Sequence, residues 1–144
     1  MRERQLRFFT FGCWAAAITA VVHLLGFVSG GLQPANDTED ALLDTARNYQ
    51  FLLPGGTRRS LMDLMDGFSL SFALFLATIA GVGFLISRRG VDDPILMRAA
   101  TRALAAFSLV LFVISLWYWF LIPTLFIAAM ALGFVLAAFV RRAD

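Results

Sequence analysis

The sequence has no lysine, one cysteine, one histidine and few charged residues of any kind. The single Cys13 excludes an internal disulfide and a Cys-X-X-Cys redox pair. The single His23 excludes bis-histidine haem ligation within one chain and leaves too few ligands for a zinc or redox-metal site. We therefore predict no metal and no cofactor. Only 15% of the 144 residues are charged and 60% are apolar, which is far from the composition of a soluble globular protein.

All twelve basic residues are arginine, and the net charge is +2. A basic chain suggests nucleic acid as a partner, but no basic stripe with interleaved aromatic residues occurs in the sequence. We therefore predict that the chain binds no nucleic acid. The arginines cluster at the ends of apolar segments, which is the pattern of a protein embedded in a lipid bilayer.

The clearest apolar segment runs from Phe68 to Ile86 and contains no ionisable side chain. At about 1.5 Å per residue, its 19 residues cover roughly the 30 Å of a bilayer's hydrocarbon core. Ser60 followed by Asp63 predicts a capping box at the start of this helix, and Arg88 and Arg89 follow its end. The alternative interpretation of Asp63 and Asp66, beyond capping and surface ion pairs with Arg58 and Arg59, is an acidic mouth above a membrane cavity.

Three further apolar segments complete an all-α membrane protein, a bundle of four transmembrane helices in one domain, residues 1–144. The predicted spans are about 8–29, 67–87, 99–119 and 123–140. The first could be a signal peptide, but it is too long for the usual apolar region and lacks a small-x-small cleavage pattern. A short turn with Gly90 and Asp92 separates spans 2 and 3, Pro123 begins span 4, and Arg141 and Arg142 end it.

The loop between spans 1 and 2, residues 30–66, is the one long polar connection, and it opens with Gly30 and Gly31. Asn36 can cap a short amphipathic helix, whose apolar residues Leu42, Ala46, Tyr49 and Leu53 recur at helical spacing until Pro54-Gly55-Gly56 ends the pattern. We expect its apolar side to lie on the outer end of the bundle or at the headgroup level. The alternative is a partner-binding helix.

The distribution of arginine predicts the orientation. Nine of the twelve arginines lie on the side of the two termini, and three lie in the long loop, which carries six acidic residues. The positive-inside rule therefore predicts that both termini are cytoplasmic and the loop is external, in a bacterial inner membrane.

Small residues at four-residue spacing predict the faces through which the helices pack, because helices in lipid associate by close backbone approach. The predicted packing residues are Gly12, Ala16 and Ala20 in span 1, Ala73, Ala77 and Gly81 in span 2, and Ala129, Gly133 and Ala137 in span 4. The pair Ala77 and Gly81 could equally serve a homo-oligomer.

His23 is the only ionisable side chain well inside an apolar segment, which makes it the main functional candidate. Counted from the middle of each span, His23 lies about 7 Å toward the outside, and Ser71 and Ser115 lie about 9 Å out. Ser69 is slightly farther. We predict Ser71 or Ser69 as the hydrogen-bond partner, with Asp66 reached only through water or if span 2 begins deeper. The alternative is that His23 is a neutral packing residue.

His23 late in span 1 and the segment Met65–Leu70, MDGFSL, at the start of span 2 resemble an uncharacterised family of small bacterial four-span inner-membrane proteins. The resemblance covers the whole chain. It implies a four-helix inner-membrane fold and marks His23 and Asp66 as residues to test. The architecture alone is also similar to that of the DoxX-type four-span proteins, which is an analogy of fold.

Three functions follow from these patterns. The sequence favours a non-enzymatic accessory or assembly subunit that binds another membrane protein. The second hypothesis is a binding or transport module for a small molecule, a lipid or a proton, using the residues His23, Asp66, Ser69, Ser71 and Ser115. The third is a subunit of a membrane oxidoreductase. No catalytic residue is predicted, because no nucleophile has an oriented base beside it.

Overall fold

Five α-helices and one β-hairpin make up the part of the chain that the computed structural model describes, residues 2–29, 33–89 and 93–140. In chain order they are α1 (Arg2–Val28), α2 (Asp37–Asn48), β1 (Gln50–Leu52), β2 (Arg58–Ser60), α3 (Leu61–Arg89), α4 (Pro94–Tyr118) and α5 (Leu121–Phe139). The prediction of an all-α protein is confirmed, and the hairpin is an addition to it. Six residues on which predictions rest lie outside the described ranges: Gly30, Gly31, Gly90, Asp92, Arg141 and Arg142.

Four of these helices, α1, α3, α4 and α5, are long and apolar enough to cross a membrane. Each predicted span lies within one of them or extends one residue beyond its end. The structure therefore contains the helices that a multi-pass membrane protein requires.

The helices begin where the sequence supplies capping groups. The hydroxyl of Ser60 accepts a hydrogen bond from the Asp63 amide at 3.0 Å, and the Asp63 carboxylate accepts one from the Ser60 amide at 2.9 Å. This is the predicted capping box of α3. Asn36 caps α2 by accepting from the Glu39 amide, and Asp93 caps α4 in the same way. The caps satisfy amides that have no partner inside the helix.

The helix α2 is shorter than its sequence pattern predicts. It ends at Asn48, and Tyr49 is already extended. The prediction that Tyr49 and Leu53 continue the helix is therefore wrong. The chain instead forms an antiparallel hairpin in which Phe51 pairs with Arg59 and Leu52 with Arg58. Gly55 and Gly56 have φ angles of +92° and +82°, a backbone conformation that glycine adopts without steric cost, and they allow the reversal.

The chain divides into two compact units, and α1 and α3 contribute residues to both. One unit contains residues 1–20 and 75–144, and the other contains residues 21–74. In the first, the backbones of α1 and α5 approach closely, because a Cβ built on Gly133 would lie 2.7 Å from the Gly12 nitrogen. The Phe9 and Phe134 rings meet edge to face beside this contact, with centroids 5.5 Å apart.

Two further contacts in this unit also join its helices. A Cβ on Gly83 of α3 would overlap the Sγ of Cys13 on α1. The helices α4 and α5 follow each other along the chain and pack together, and the Thr124 hydroxyl donates to the Ser115 carbonyl across them at 3.3 Å. Small residues and a hydroxyl thus contribute to the helix contacts of this unit beside the aromatic pair.

The buried hydroxyls of the long helices bond mainly to their own helices. Each donates to a carbonyl three or four residues earlier, and the five are Thr19, Thr101, Ser108, Ser115 and Thr124. Such bonds satisfy a polar group in an apolar environment without a partner from another helix.

Candidate functional site

His23 lies near the carboxyl end of α1 and belongs to the unit formed by residues 21–74. Its side chain is half-buried, and its Nε2 atom is fully buried with no hydrogen-bond partner among the described residues. The ring of Phe72 on α3 meets the imidazole edge to face, with centroids 5.2 Å apart and ring planes at 73°. The aromatic contact restricts the orientation of the imidazole and leaves one nitrogen without a partner.

A buried nitrogen without a partner is costly. Leaving a polar atom unsatisfied in a buried position costs about 1–3 kcal/mol. A neutral imidazole has one nitrogen that donates and one that accepts, so either tautomer leaves Nε2 able to bind a complementary group. Chemically, the site can accept a hydrogen bond from a hydroxyl or amide, or donate one to a carbonyl or phosphate oxygen.

The residues that were predicted to surround His23 do not supply that partner. Ser69 is half-buried, and Ser71 and Asp66 are exposed. None of the three makes a hydrogen bond to Nε2, so the predicted pairing of His23 with Ser71 or Ser69 through this atom is not formed. Phe72, the neighbour of Ser71 in sequence, contacts the ring instead.

Ser115, the fifth residue of the predicted site, belongs to the other compact unit. It is fully buried on α4. Its hydroxyl donates to the Phe112 carbonyl at 2.7 Å, and its own carbonyl accepts from the Thr124 hydroxyl. Both polar groups of Ser115 are therefore engaged within that unit.

Asp63 and Asp66, for which the sequence left an acidic mouth as the alternative interpretation, form no ion pair among the described residues. Asp63 is occupied by the capping box, and Asp66 is exposed. In the described part of the chain, neither Arg58 nor Arg59 forms an ion pair with these carboxylates, although Arg59 attracts Asp63 electrostatically. The ion pairs that the sequence suggests are thus not formed.

Metal-binding groups are dispersed over the described ranges. Within them, no three His, Cys, Asp or Glu side chains come together in a group that could hold a metal ion. Cys13 is a free, buried thiol packed at Gly83.

The predicted packing residues fall into two groups. Those that are buried are Gly12, Ala16, Ala20, Ala73, Gly133 and Ala137, with Ala129 half-buried. Ala77 and Gly81 are exposed, and a Cβ on Gly81 would meet nothing within 4 Å. The buried face of α3 in its unit follows Leu76, Ala80 and Gly83 instead.

Two residues of importance were missed by sequence reasoning. Phe72 carries no polar group, so its position next to Ser71 in the sequence was the only signal for its role. Gly83 follows Leu76 and Ala80 at helical spacing, and that apolar pattern with its terminal glycine was the available signal.

Comparison of the chain with protein-family models, with curated proteins and with solved structures finds no match. The resemblance to four-span inner-membrane proteins therefore stays a prediction.

Proposed function

We propose that this chain is a multi-pass protein of a bacterial inner membrane whose four long helices form a bundle and bind a small hydrogen-bonding molecule at His23. The first support for insertion is the presence of four helices that are long and apolar enough to cross a membrane. The arginine distribution, nine on the side of the termini and three in the long loop, favours cytoplasmic termini and an external loop.

The second support for insertion is the apolar surface of these helices. Large apolar side chains are exposed on all four, for example Leu25, Leu74, Val113 and Leu132, with between 53% and 70% of each side chain exposed. Exposed apolar side chains on every long helix are expected where the surrounding medium is lipid and unfavourable where it is water.

The observation that carries the binding function is the buried, unpartnered Nε2 of His23. The buried hydroxyls of the long helices bond to their own backbone, but the imidazole of His23 has no such partner at Nε2. A polar group in an apolar medium finds a hydrogen-bond partner wherever one is available. Because this atom is covered in the structure, a partner from outside the chain reaches it when the imidazole or the Phe72 ring moves. The partners that fit are a lipid headgroup and a quinone-like carbonyl compound.

Mass spectrometry of the gently purified protein tests this function. We expect the unsubstituted protein to carry a small molecule in stoichiometric amount and His23→Leu to carry less of it. One hydrogen bond contributes about 0.5–1.5 kcal/mol, so the affinity should fall by up to roughly tenfold. The matched control is Thr101→Val, which removes a buried hydroxyl that bonds to its own helix. The same molecule in the same amount in the unsubstituted protein and in His23→Leu would refute the proposal.

A second candidate function is an accessory subunit that binds another membrane protein. The observation that favours it is the exposure of Ala77 and Gly81, where another helix could approach the backbone of α3 closely. Gly81→Leu should then abolish co-purification of a stoichiometric partner without unfolding the chain, because the position is exposed and a Cβ there meets nothing within 4 Å. Retention of the partner by Gly81→Leu would contradict this function.

A further inference from the structure

The hairpin formed by β1 and β2 presents an apolar residue opposite an arginine in two successive pairs. Phe51 pairs with Arg59, and Leu52 pairs with Arg58. Directly opposed residues project on the same side of a hairpin, so each face combines one apolar side chain with one arginine. All four residues are exposed. Tyr49 packs edge to face on Phe51, with centroids 4.9 Å apart, which extends the aromatic surface.

The charge of the hairpin is opposite to that of the helix beside it. Residues 49–60 contain Arg58 and Arg59 and no acidic residue, a charge of +2. The preceding α2 contains four acidic residues and Arg47, a charge of −4 + 1 = −3. Neither Arg58 nor Arg59 has an ion-pair partner among the described residues. The Arg59 Nη1 donates a hydrogen bond to the Arg58 carbonyl at 2.9 Å, and the other N–H groups of the two guanidinium groups can bind an anion.

The position of the hairpin follows from the helix that it precedes. Ser60 is both the last residue of β2 and the cap of α3, so no linker separates them. The 29 residues of α3 extend about 43 Å, which matches the roughly 40–45 Å of a bilayer including its headgroup regions. With α3 across the membrane, as the proposed function requires, the hairpin lies at the level of the headgroups.

We propose that this hairpin is a binding site for the headgroups of anionic phospholipids. Arg58 and Arg59 bind the lipid phosphates, because a guanidinium matches a phosphate with two parallel hydrogen bonds. Tyr49, Phe51 and Leu52 lie in the interface, where aromatic and apolar side chains are favoured. The acidic residues of α2 are repelled by the same headgroups, so we expect α2 to lie farther from them than the hairpin does. The inference rests on membrane insertion and is independent of what His23 binds.

A fluorophore attached at the hairpin tests the proposal in the full-length protein. The label is placed on Leu52→Cys, with Thr45→Cys on the exposed side of α2 as the control position. The native Cys13 is buried, which protects it from a polar reagent. The protein is placed in nanodiscs of phosphatidylcholine alone or of an equal mixture with phosphatidylglycerol, and quenching by aqueous iodide is measured.

We expect the label at residue 52 to be protected only in the discs that contain phosphatidylglycerol, and the label at residue 45 to be quenched in both. Each substitution Arg58→Gln or Arg59→Gln should weaken the protected state about fivefold, and the pair about 25-fold. Arg47→Gln should leave protection unchanged. Because the interaction is electrostatic, about 1 M salt, where the Debye length is roughly 3 Å, should remove protection without any substitution.

Three results would overturn the proposal. Full quenching at residue 52 in both kinds of disc, equal to that at residue 45, would mean that the hairpin lies in water. Protection that is the same with and without phosphatidylglycerol, and insensitive to salt, would mean that the hairpin contacts protein. A chain that does not enter the discs at all would refute membrane insertion itself, and it is distinguished from the first two because no label would then be associated with lipid.

Discussion

Gly133→Ala tests the close approach of α1 and α5. A Cβ at this position would lie 2.7 Å from the nitrogen and 2.8 Å from the Cα of Gly12, and 2.9 Å from the Phe11 ring. The nearest two atoms belong to the backbone, so no change of rotamer relieves the overlap. The helices must move apart instead, which loosens the adjoining contact of Phe9 with Phe134.

The expected magnitude comes from comparison with a second glycine. Overpacking a close contact costs about 1–3 kcal/mol. Replacing glycine by alanine in a helix also recovers about 0.5–1 kcal/mol of backbone entropy. Gly81→Ala recovers the same entropy without an overlap, because nothing lies within 4 Å of its Cβ. The difference between the two variants therefore isolates the overlap and should be about 1–3 kcal/mol, with Gly133→Ala the less stable.

The assay is equilibrium unfolding in mixed micelles, with SDS as the denaturant and helical circular dichroism as the signal. The free energy of unfolding is measured for the unsubstituted protein, Gly133→Ala and Gly81→Ala under identical conditions. If Gly133→Ala is as stable as Gly81→Ala, the two backbones do not approach as described and the reasoning fails.

Three other measurements test different parts of the chain. Gly83→Ala should destabilise the protein less than Gly133→Ala, because the atom in its way is the Cys13 thiol and not backbone. Cys13→Ala should restore stability to Gly83→Ala, with an interaction energy between the two substitutions of about 0.5–3 kcal/mol in the same assay. Additive effects of the two substitutions would contradict this. Ser60→Ala should cost about 1 kcal/mol and speed amide exchange in the first turn of α3, whereas Thr57→Ala in the hairpin turn should not; unchanged exchange would show that the cap is dispensable. Tags on both termini should be accessible only from the cytoplasm, and an impermeant reagent should modify Thr45→Cys only from outside; tags found on opposite faces would refute an even number of spans.

The existence and type of the long helices could be predicted because length and composition alone determine them. An apolar segment of about twenty residues has no alternative to a helix in lipid, where each backbone group needs an internal partner. The capping boxes were equally predictable, since a box depends on two residues three apart, as at Ser60 and Asp63. These features are local in sequence.

The hairpin was missed because two local patterns compete in the same segment. Tyr49 and Leu53 continue the helical spacing of Leu42 and Ala46, which predicts helix up to Pro54. The strands are only three residues long, too short to show an alternating pattern. Their pairing depends on the turn at Gly55 and Gly56, whose positive φ angles the sequence allows but does not require.

The packing face of α3 could not be predicted, because the spacing of small residues defines a stripe along the helix but does not say whether that stripe faces another helix. Ala77 and Gly81 form one stripe, and Leu76, Ala80 and Gly83 lie on another, rotated by about 100° for each residue of offset. Only contact with a partner helix decides between them, and in this chain Cys13 of α1 meets Gly83.

The difference between the buried hydroxyls and His23 is the strongest physical reason to expect a ligand. A serine or threonine in a helix can rotate its short side chain to reach a carbonyl one turn earlier, as Thr19 does on α1 at 2.6 Å. An imidazole is rigid and longer, and its Nε2 points away from its own backbone, so it depends on a group supplied from elsewhere. In His23 the imidazole meets the ring of Phe72 edge to face, with centroids 5.2 Å apart, and Nε2 has no hydrogen-bond partner among the described residues. A packing role alone would be served as well by an apolar side chain, whereas His23 brings a buried nitrogen for which the described residues supply no hydrogen-bond partner.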